Sequence, residues 1–352
     1  MKTYSFDDVV ILHDKDRIPL SAMERQKRQG TYRYYGAQGV IDHVDNYLFD
    51  GEYVLIAEDG ENLKSQKQDV AQLVHGKFWV NNHAHIATTT NECRLRYFYY
   101  LINNKNLSEY ITGSAQPKLS QASMRKMSFV LPNINTQDKI LGILGGIDDK
   151  IEENEKINKN LAEQAQAIYN DMFITNANPS WQSGQLSDLI TVRYGKDHKK
   201  LADGTYPVYG SGGIMRYVER PLYDKESVLI PRKGTLNNVM YVNEPFWSVD
   251  TMFFTEMRLP DVAKFVFHFV KSRDLVALNA GSAVPSMTTD ILNAMELLIP
   301  DADALTKFEN VVAPMYLTVQ QNTQESSKLA ELRDSLLPRL MSGELDVSNI
   351  DL

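Results

Sequence analysis

The side chains best suited to chemistry in this 352-residue sequence are cations, amides and tyrosines gathered on glycine-punctuated segments. Arg193, Tyr194, Gly195 and Lys196, followed by His198, Lys199 and Lys200, make a strongly basic stretch of loop character. Such a cluster suits phosphate contact; the alternative is a solvated charge run. Tyr32, Arg33, Tyr34, Tyr35 and Gln38 stand around Gly36 and Gly39, and Tyr206, Tyr209, Ser211 and Arg216 stand around Gly210 and Gly213. Arginine pairs bidentately with guanine and glutamine with adenine, while tyrosine bonds phosphate. Further candidates are Lys64, Gln66, Lys67 and Gln68 within 61–77, and Arg232, Lys233, Asn237 and Asn238 around 235–245. Gln116, Lys118 and Gln121, and later Ser286, Thr288 and Thr289, complete the set. A polar surface loop has the same composition, so each keeps that alternative.

Residue patterns that could support catalysis are few and incomplete. His83 and His85 form a His-x-His, but no third ligand stands at metal-binding spacing, so a structural role is expected. Asn178-Pro179-Ser180-Trp181 is superficially like an amino-methyltransferase Asn-Pro-Pro-aromatic motif, yet lacks the second proline and a preceding strand with a Gly-rich cofactor loop. Gly142–Gly146 falls inside a helical pattern rather than after a strand, which excludes a nucleotide loop. No Asp…Glu-x-Lys nuclease set is evident. The expectation is a chain with no catalytic residues, no metal and no cofactor of its own.

The elements that must position these residues come in two copies. TYRYYGAQGV from Thr31 and YLFDGEYVLI from Tyr47 meet TYPVYGSGGI from Thr205 and PLYDKESVLI from Pro221 at a constant offset of 174. The offset then drops to 168, where Phe78-Trp79 meets Phe246-Trp247, GSAQP from Gly113 meets GSAVP from Gly281, and Leu131-Pro132 meets Ile299-Pro300. Repetition at this scale predicts pseudo-two-fold symmetry and a partner that also comes in two halves. Residues kept in both copies, such as Tyr32 with Tyr206 and Tyr35 with Tyr209, then serve the fold. Unlike pairs, such as Gln38 against Gly212, are the better candidates for contacts that differ between the copies.

Each copy holds apolar strands (Tyr53–Ile56, Ser227–Ile230), an aromatic strand, and a short helix. The helix is predicted at Arg94–Asn103; its counterpart, Val262–Ser272, is ambiguous between helix and strand. Each copy ends in a helical stripe. Ile147, Ile151, Asn154, Ile157, Leu161, Ala165 and Ile168 follow 3- and 4-residue steps, as do Met315, Val319, Asn322, Ser326, Leu329, Leu332 and Leu336. Gly145-Gly146 and Pro314 predict a break in each, followed by a helix of about 26 residues spanning roughly 39 Å, close to one DNA turn of about 34–36 Å. Asn154 and Asn322, equivalent under the 168 offset, either meet across an antiparallel pair and fix its register or face solvent beside the seam.

The net charge of −8 argues at first against a nucleic-acid partner, but 133–176 carry 8 acidic against 4 basic residues and 301–352 carry 9 against 4. The remainder holds 28 acidic and 29 basic residues, so the globular parts are near neutral with local basic clusters. Cys93 is the only cysteine, and neither a signal-peptide core nor an apolar run of about 18 residues is present. A cytoplasmic protein with no membrane association is the expectation.

In the paired YG…YVLI blocks, GSAQPKLS and GSAVPSMT, the closing strand-Pro, and the helix runs QDKILGILGGIDDKIEENEKINKNL and SSKLAELRDSLLPRLMSGEL, the chain resembles specificity subunits of type I restriction–modification systems. The resemblance covers nearly the whole chain. One departure is that copy two opens on Trp181, which has no counterpart before Phe6, so copy one looks shortened or variant. The resemblance implies an α+β chain with pseudo-symmetric mixed α/β target-recognition domains at 1–132 and 175–300. Helical spacers at 133–174 and 301–344 would pack as an antiparallel coiled coil, followed by a tail at 345–352. It implies a non-catalytic subunit that reads a split site in double-stranded DNA, helix length setting the gap. Two methyltransferase subunits would dock on it, restriction subunits could join, and S-adenosylmethionine would be bound by the methyltransferases. The competing readings are a coiled-coil interaction scaffold without DNA readout, and a single-chain enzyme whose site escapes motif reading.

Overall fold

The computed structural model describes residues 1–113, 116–278, 286–348 and 350. Ser114 and Ala115 of GSAQP, and all of GSAVP from Gly281 to Pro285, lie outside the described residues. The chain forms two compact units that do not follow chain order: 1–154 with 324–352, and 155–323.

In the first unit, six strands order as Val10–Leu12, Ala84–Thr89, Phe49–Ala57, Ala71–Val80, Gln29–Gly36 and Gly39–Val44. The run Val54-Leu55-Ile56 is apolar at every position because the central strand is covered on both faces. Val54 and Ile56 pack with Phe98 and Phe129, whereas Leu55 packs with Phe49 and Phe78. The helix Leu95–Asn103 seals the first face, and Lys2–Ser5 pairs with Ser128–Leu131 beside it.

The second unit repeats this order of strands but, among the described residues, has no counterpart to the short helices Asp14–Asp16, Ala22–Lys27 and Asn62–Ser65. Gln182–Gln185 pairs with Glu296–Ile299, matching Lys2–Ser5 with Ser128–Leu131, so copy one holds the same opening strand despite lacking the tryptophan. Tyr34 lies beside Trp79 in a parallel pairing, and Val208 beside Trp247, each at its expected offset. The ambiguous segment is a helix, Ala263–Lys271, with Phe265, Val266, Phe269 and Val270 buried. One difference has a local cause. Where copy one has the continuous strand Ala71–Val80, copy two has Met240–Val242 and Trp247–Ser248, separated by Asn243-Glu244-Pro245-Phe246. Pro245 stands where copy one has Lys77, and a proline donates no ladder hydrogen bond. The second unit's strands accordingly divide into a four-stranded and a three-stranded sheet.

Neither long helix breaks. The first spans Ile134–Asn170 and the second Ala302–Ser342, 37 and 41 residues. At 1.5 Å per residue they run roughly 55 and 60 Å, so the match of a 26-residue helix to one DNA turn does not carry over. Tertiary packing overrides the local breakers. Arg96 lies 3.1 Å from where a Cβ on Gly145 would stand, so glycine there admits the guanidinium. The second helix is held ahead of Pro314 by Phe308 and Val312, both fully buried. A π-helical turn, Asp171–Thr175, ends the first helix and seats Phe173 against Phe265 and Phe308.

Within each unit the helices pair antiparallel. In the first, Asp148 meets Arg333 at 3.0 Å and Asn154 donates to Glu325 and Ser326. In the second, Asn158 accepts from Asn322 at 2.9 Å, and Tyr169 packs against Phe308. Asn154 is 1% exposed, which removes the solvent-facing reading for it. Of the other stripe residues, Ile147, Ile151, Leu161, Ile168, Met315, Val319, Asn322, Leu329 and Leu336 are half-buried. Behind Gly343 the chain returns to the first unit's core, where Val347 is buried and Lys139 donates to the Ser348 carbonyl.

Candidate nucleic-acid interface

In each unit two strands end where a third, antiparallel to both, begins. Val10–Leu12 and Phe49–Ala57 end beside the start of Ala84–Thr89. Ile190–Tyr194 and Ser227–Pro231 end beside the start of Met252–Met257. The loops that follow converge at that end of the sheet. Isolated bridges tie them: Asp59 to Lys118 in the first unit, Lys233 to Ser286 at the equivalent positions in the second.

The residues there differ between copies. In the first unit they form an ion-paired network. His85 Nδ1 lies 2.5 Å from Asp14 and Nε2 2.7 Å from the Leu119 carbonyl. Asp14 also accepts from the Ile86 N–H and from the Gln121 amide, at 2.9 and 2.6 Å. Arg17 reaches Asp14 and Glu58, and Lys118 reaches Glu58 at 3.1 Å. Burial pushes the Asp14 carboxyl up, but the hydrogen bond and charge of His85, with Ile86 N–H and Arg17, outweigh it and hold it below its usual range. Glu58 is likewise lowered: burial is opposed by Arg17, His85 and Lys118.

Asp14, Glu58 and His85 bring ligand atoms within 4.8 Å of one another, a third and fourth group that the His-x-His spacing did not reveal. Both ring nitrogens of His85 face acceptor oxygens, and Arg17 and Lys118 already neutralise the carboxylates. These contacts hold the three groups in a part-buried salt-bridge network. His83 turns away to Asp59 at 2.7 Å.

In the second unit the same place holds Tyr194, 53% exposed with the Arg232 guanidinium 5.5 Å over its ring. Arg232 donates to the Asp250 carbonyl, and Arg193 pairs with Glu256 at 3.0 Å. Lys196, Lys199, Lys200 and Lys233 are exposed. The exposed Tyr194 was visible in sequence only as part of a basic run; its stacking partner stands 38 positions on.

Several of the expected contact residues already have partners within the protein. Tyr34 is a correction: it is fully buried, its hydroxyl bonded to Leu20, because parallel pairing with Trp79 turns it inward. Gln66, in left-handed conformation, donates to the Lys105 carbonyl, and Gln121 is bound to Asp14, so both position loops. Arg33 donates to the His75 carbonyl and Arg216 pairs with Asp203 at 2.6 Å. Asn238 donates to the Ser211 carbonyl, and Asn237 to Asp274. Gln38, Lys64, Lys67 and Gln116 are exposed, and Ser286 is half-buried.

The family model for the type I restriction modification DNA specificity domain matches residues 1–163 and again 178–313. The chain belongs to this family. DNA sequence specificity is therefore its role, and a helical scaffold without DNA readout is not favoured. A putative type I restriction enzyme specificity subunit of Haemophilus influenzae, S.HindORF215P, is 24% identical over 94% of this chain and 93% of its own length. The MjaIX specificity subunit of Methanocaldococcus jannaschii is 23% identical over 72% of this chain and 70% of its own. In fold, the chain is similar to the crystal structure of the S subunit from M. genitalium, with a TM-score of 0.61 at 17% identity, covering 96% of this chain and 95% of that one. Among the described residues, no helix is long and apolar enough to cross a membrane.

Proposed function

We propose that this chain is the non-catalytic reading subunit of a type I restriction–modification complex, each unit recognising one half of a split target in double-stranded DNA. The observation that carries this reading is one sheet end, built twice on the same frame, with different side chains in each copy. At equivalent positions Glu58 corresponds to Arg232, Asp59 to Lys233 and Lys118 to Ser286, and beneath them the buried His85 corresponds to the buried Phe253. A duplicated frame with unlike tips is what two readers of different half-sites require. Two methyltransferase subunits would supply S-adenosylmethionine chemistry, restriction subunits would join them, and the complex would work in the cytoplasm. Docking on the helix pairs is supported by apolar residues left exposed there, Ile157 and Leu317 in the second unit and Leu332 in the first.

Methylation mapping of genomic DNA tests the reading, comparing cells that carry this chain and its methyltransferase with cells lacking the chain alone. Adenine methylation at one bipartite motif, lost with the chain, is the expected result. A methylation pattern indifferent to the chain would refute it.

A further inference from the structure

The two sheet ends are electrostatic opposites. In the first unit, residues 13–21, 58–61, 81–83 and 118 hold five carboxylates and three cations. Their counterparts in the second unit, 195–202, 232–235, 249–251 and 286, hold two carboxylates and five cations. Pairing widens the contrast. Arg17 and Lys118 are each bound to Glu58, and His83 to Asp59. Among the described residues, Lys196, Lys199, Lys200 and Lys233 have no carboxylate within ion-pair distance, and all four are exposed. The Arg232 guanidinium stands 5.5 Å over the exposed ring of Tyr194, and the two lysine-bearing loops meet there, since the Gly195 N–H donates to the Met252 carbonyl and the Arg232 N–H to the Thr251 carbonyl.

Resting on the function proposed above, we infer that the two units divide the work of binding DNA unequally. The second unit's sheet end is the phosphate grip, with Lys196, Lys199, Lys200, Lys233 and Arg232 as its contacts. The first unit's sheet end, where Arg17 and Lys118 are tied to Glu58 and only Lys15 among its described cations is unpaired, adds few phosphate contacts and discriminates mainly by hydrogen bonding. An exposed, unpaired ammonium is free to replace a condensed counterion on the backbone, whereas a lysine bound to a carboxylate must break that pair first. The salt dependence of binding then comes mainly from one half of a pseudo-symmetric molecule.

The test uses the full chain in complex with its methyltransferase subunits and a duplex carrying the motif found by methylation mapping. Binding is followed by fluorescence anisotropy across about 50 to 300 mM KCl. Two variants are compared: Lys199→Gln with Lys233→Gln, and Lys15→Gln with Lys118→Gln. All four are surface changes, and circular dichroism checks that both variants fold as the parent does. The slope of log K against log salt is expected to flatten by about 1.8 for the first pair, at about 0.9 per lost phosphate contact, and by less than about 0.9 for the second. Equal flattening by both pairs, or no flattening by the first, overturns the inference while leaving sequence-specific binding intact. Absence of any mapped motif would instead defeat the functional reading, before this experiment begins.

Discussion

Lowering the pH from about 7.5 to about 5 should weaken the second unit far more than the first, through one buried imidazole. His268 is 2% exposed inside the second unit, its Nδ1 2.8 Å from the Gln166 side-chain oxygen and its Nε2 3.0 Å from the Tyr316 hydroxyl. Rings of Tyr169, Phe267 and Phe308 surround it. Burial first, and then the charge of Lys271, push its pKa down from 6.5 to about 4. Between those values the unfolded chain binds a proton that the folded unit refuses, so stability is full above about pH 6.5 and declines as pH falls toward about 4. The linkage relation gives about 2 kcal/mol lost by pH 5, and about 3 kcal/mol in full. The first unit has Tyr100 at the equivalent position, and burial raises that phenol further from neutrality, so it contributes no such slope. Fluorescence can isolate the second unit, because the three tryptophans are Trp79 in the first and Trp181 and Trp247 in the second. Urea titrations of Trp79→Phe at several pH values should show the loss, and His268→Gln should flatten it. A midpoint unchanged from pH 7.5 to 5, or a slope surviving His268→Gln, would refute the reasoning.

Other outcomes follow from the same packing. Asp14→Asn should destabilise the first unit by about 3–5 kcal/mol, since it strips a buried charge from His85 and Arg17; Trp79 fluorescence during unfolding is the measurement. In the parent, the depressed Asp14 pKa means its contribution is present above about pH 4 and lost as acid protonates it, a step His268 should precede. Leu340→Ala should cost the first unit about 2–5 kcal/mol and leave the second unchanged, because Leu340 lies in the first unit's core although it is late in the chain. Inserting four residues into the first long helix adds roughly 6 Å of axis and should change the tolerated gap between half-sites; an unchanged gap in mapped methylation would refute helix length as the ruler.

Much of the fold was legible because duplication supplies an internal control. Strand pairs such as Tyr34 beside Trp79 and Val208 beside Trp247 fall at the offsets read from sequence. The unbroken helices were not legible. Gly145 and Pro314 are local signals, whereas Arg96 and the Phe308 core that override them come from other parts of the chain. The candidate interface was legible as residue types rather than as roles. Gln121 is tied to Asp14 from 107 positions away, and Tyr34 is turned inward by its parallel neighbour. Composition cannot distinguish a lysine already paired, such as Lys118, from an unpaired one, such as Lys199.

The central claim is that one reader has been made twice, and domain exchange tests it most directly. Residues 1–132 would be replaced by the corresponding first domain of a relative with a different target, and the methylated motif mapped again. A motif altered in one half-site and unchanged in the other is the predicted result. A motif altered in both halves would contradict independent reading by the two copies.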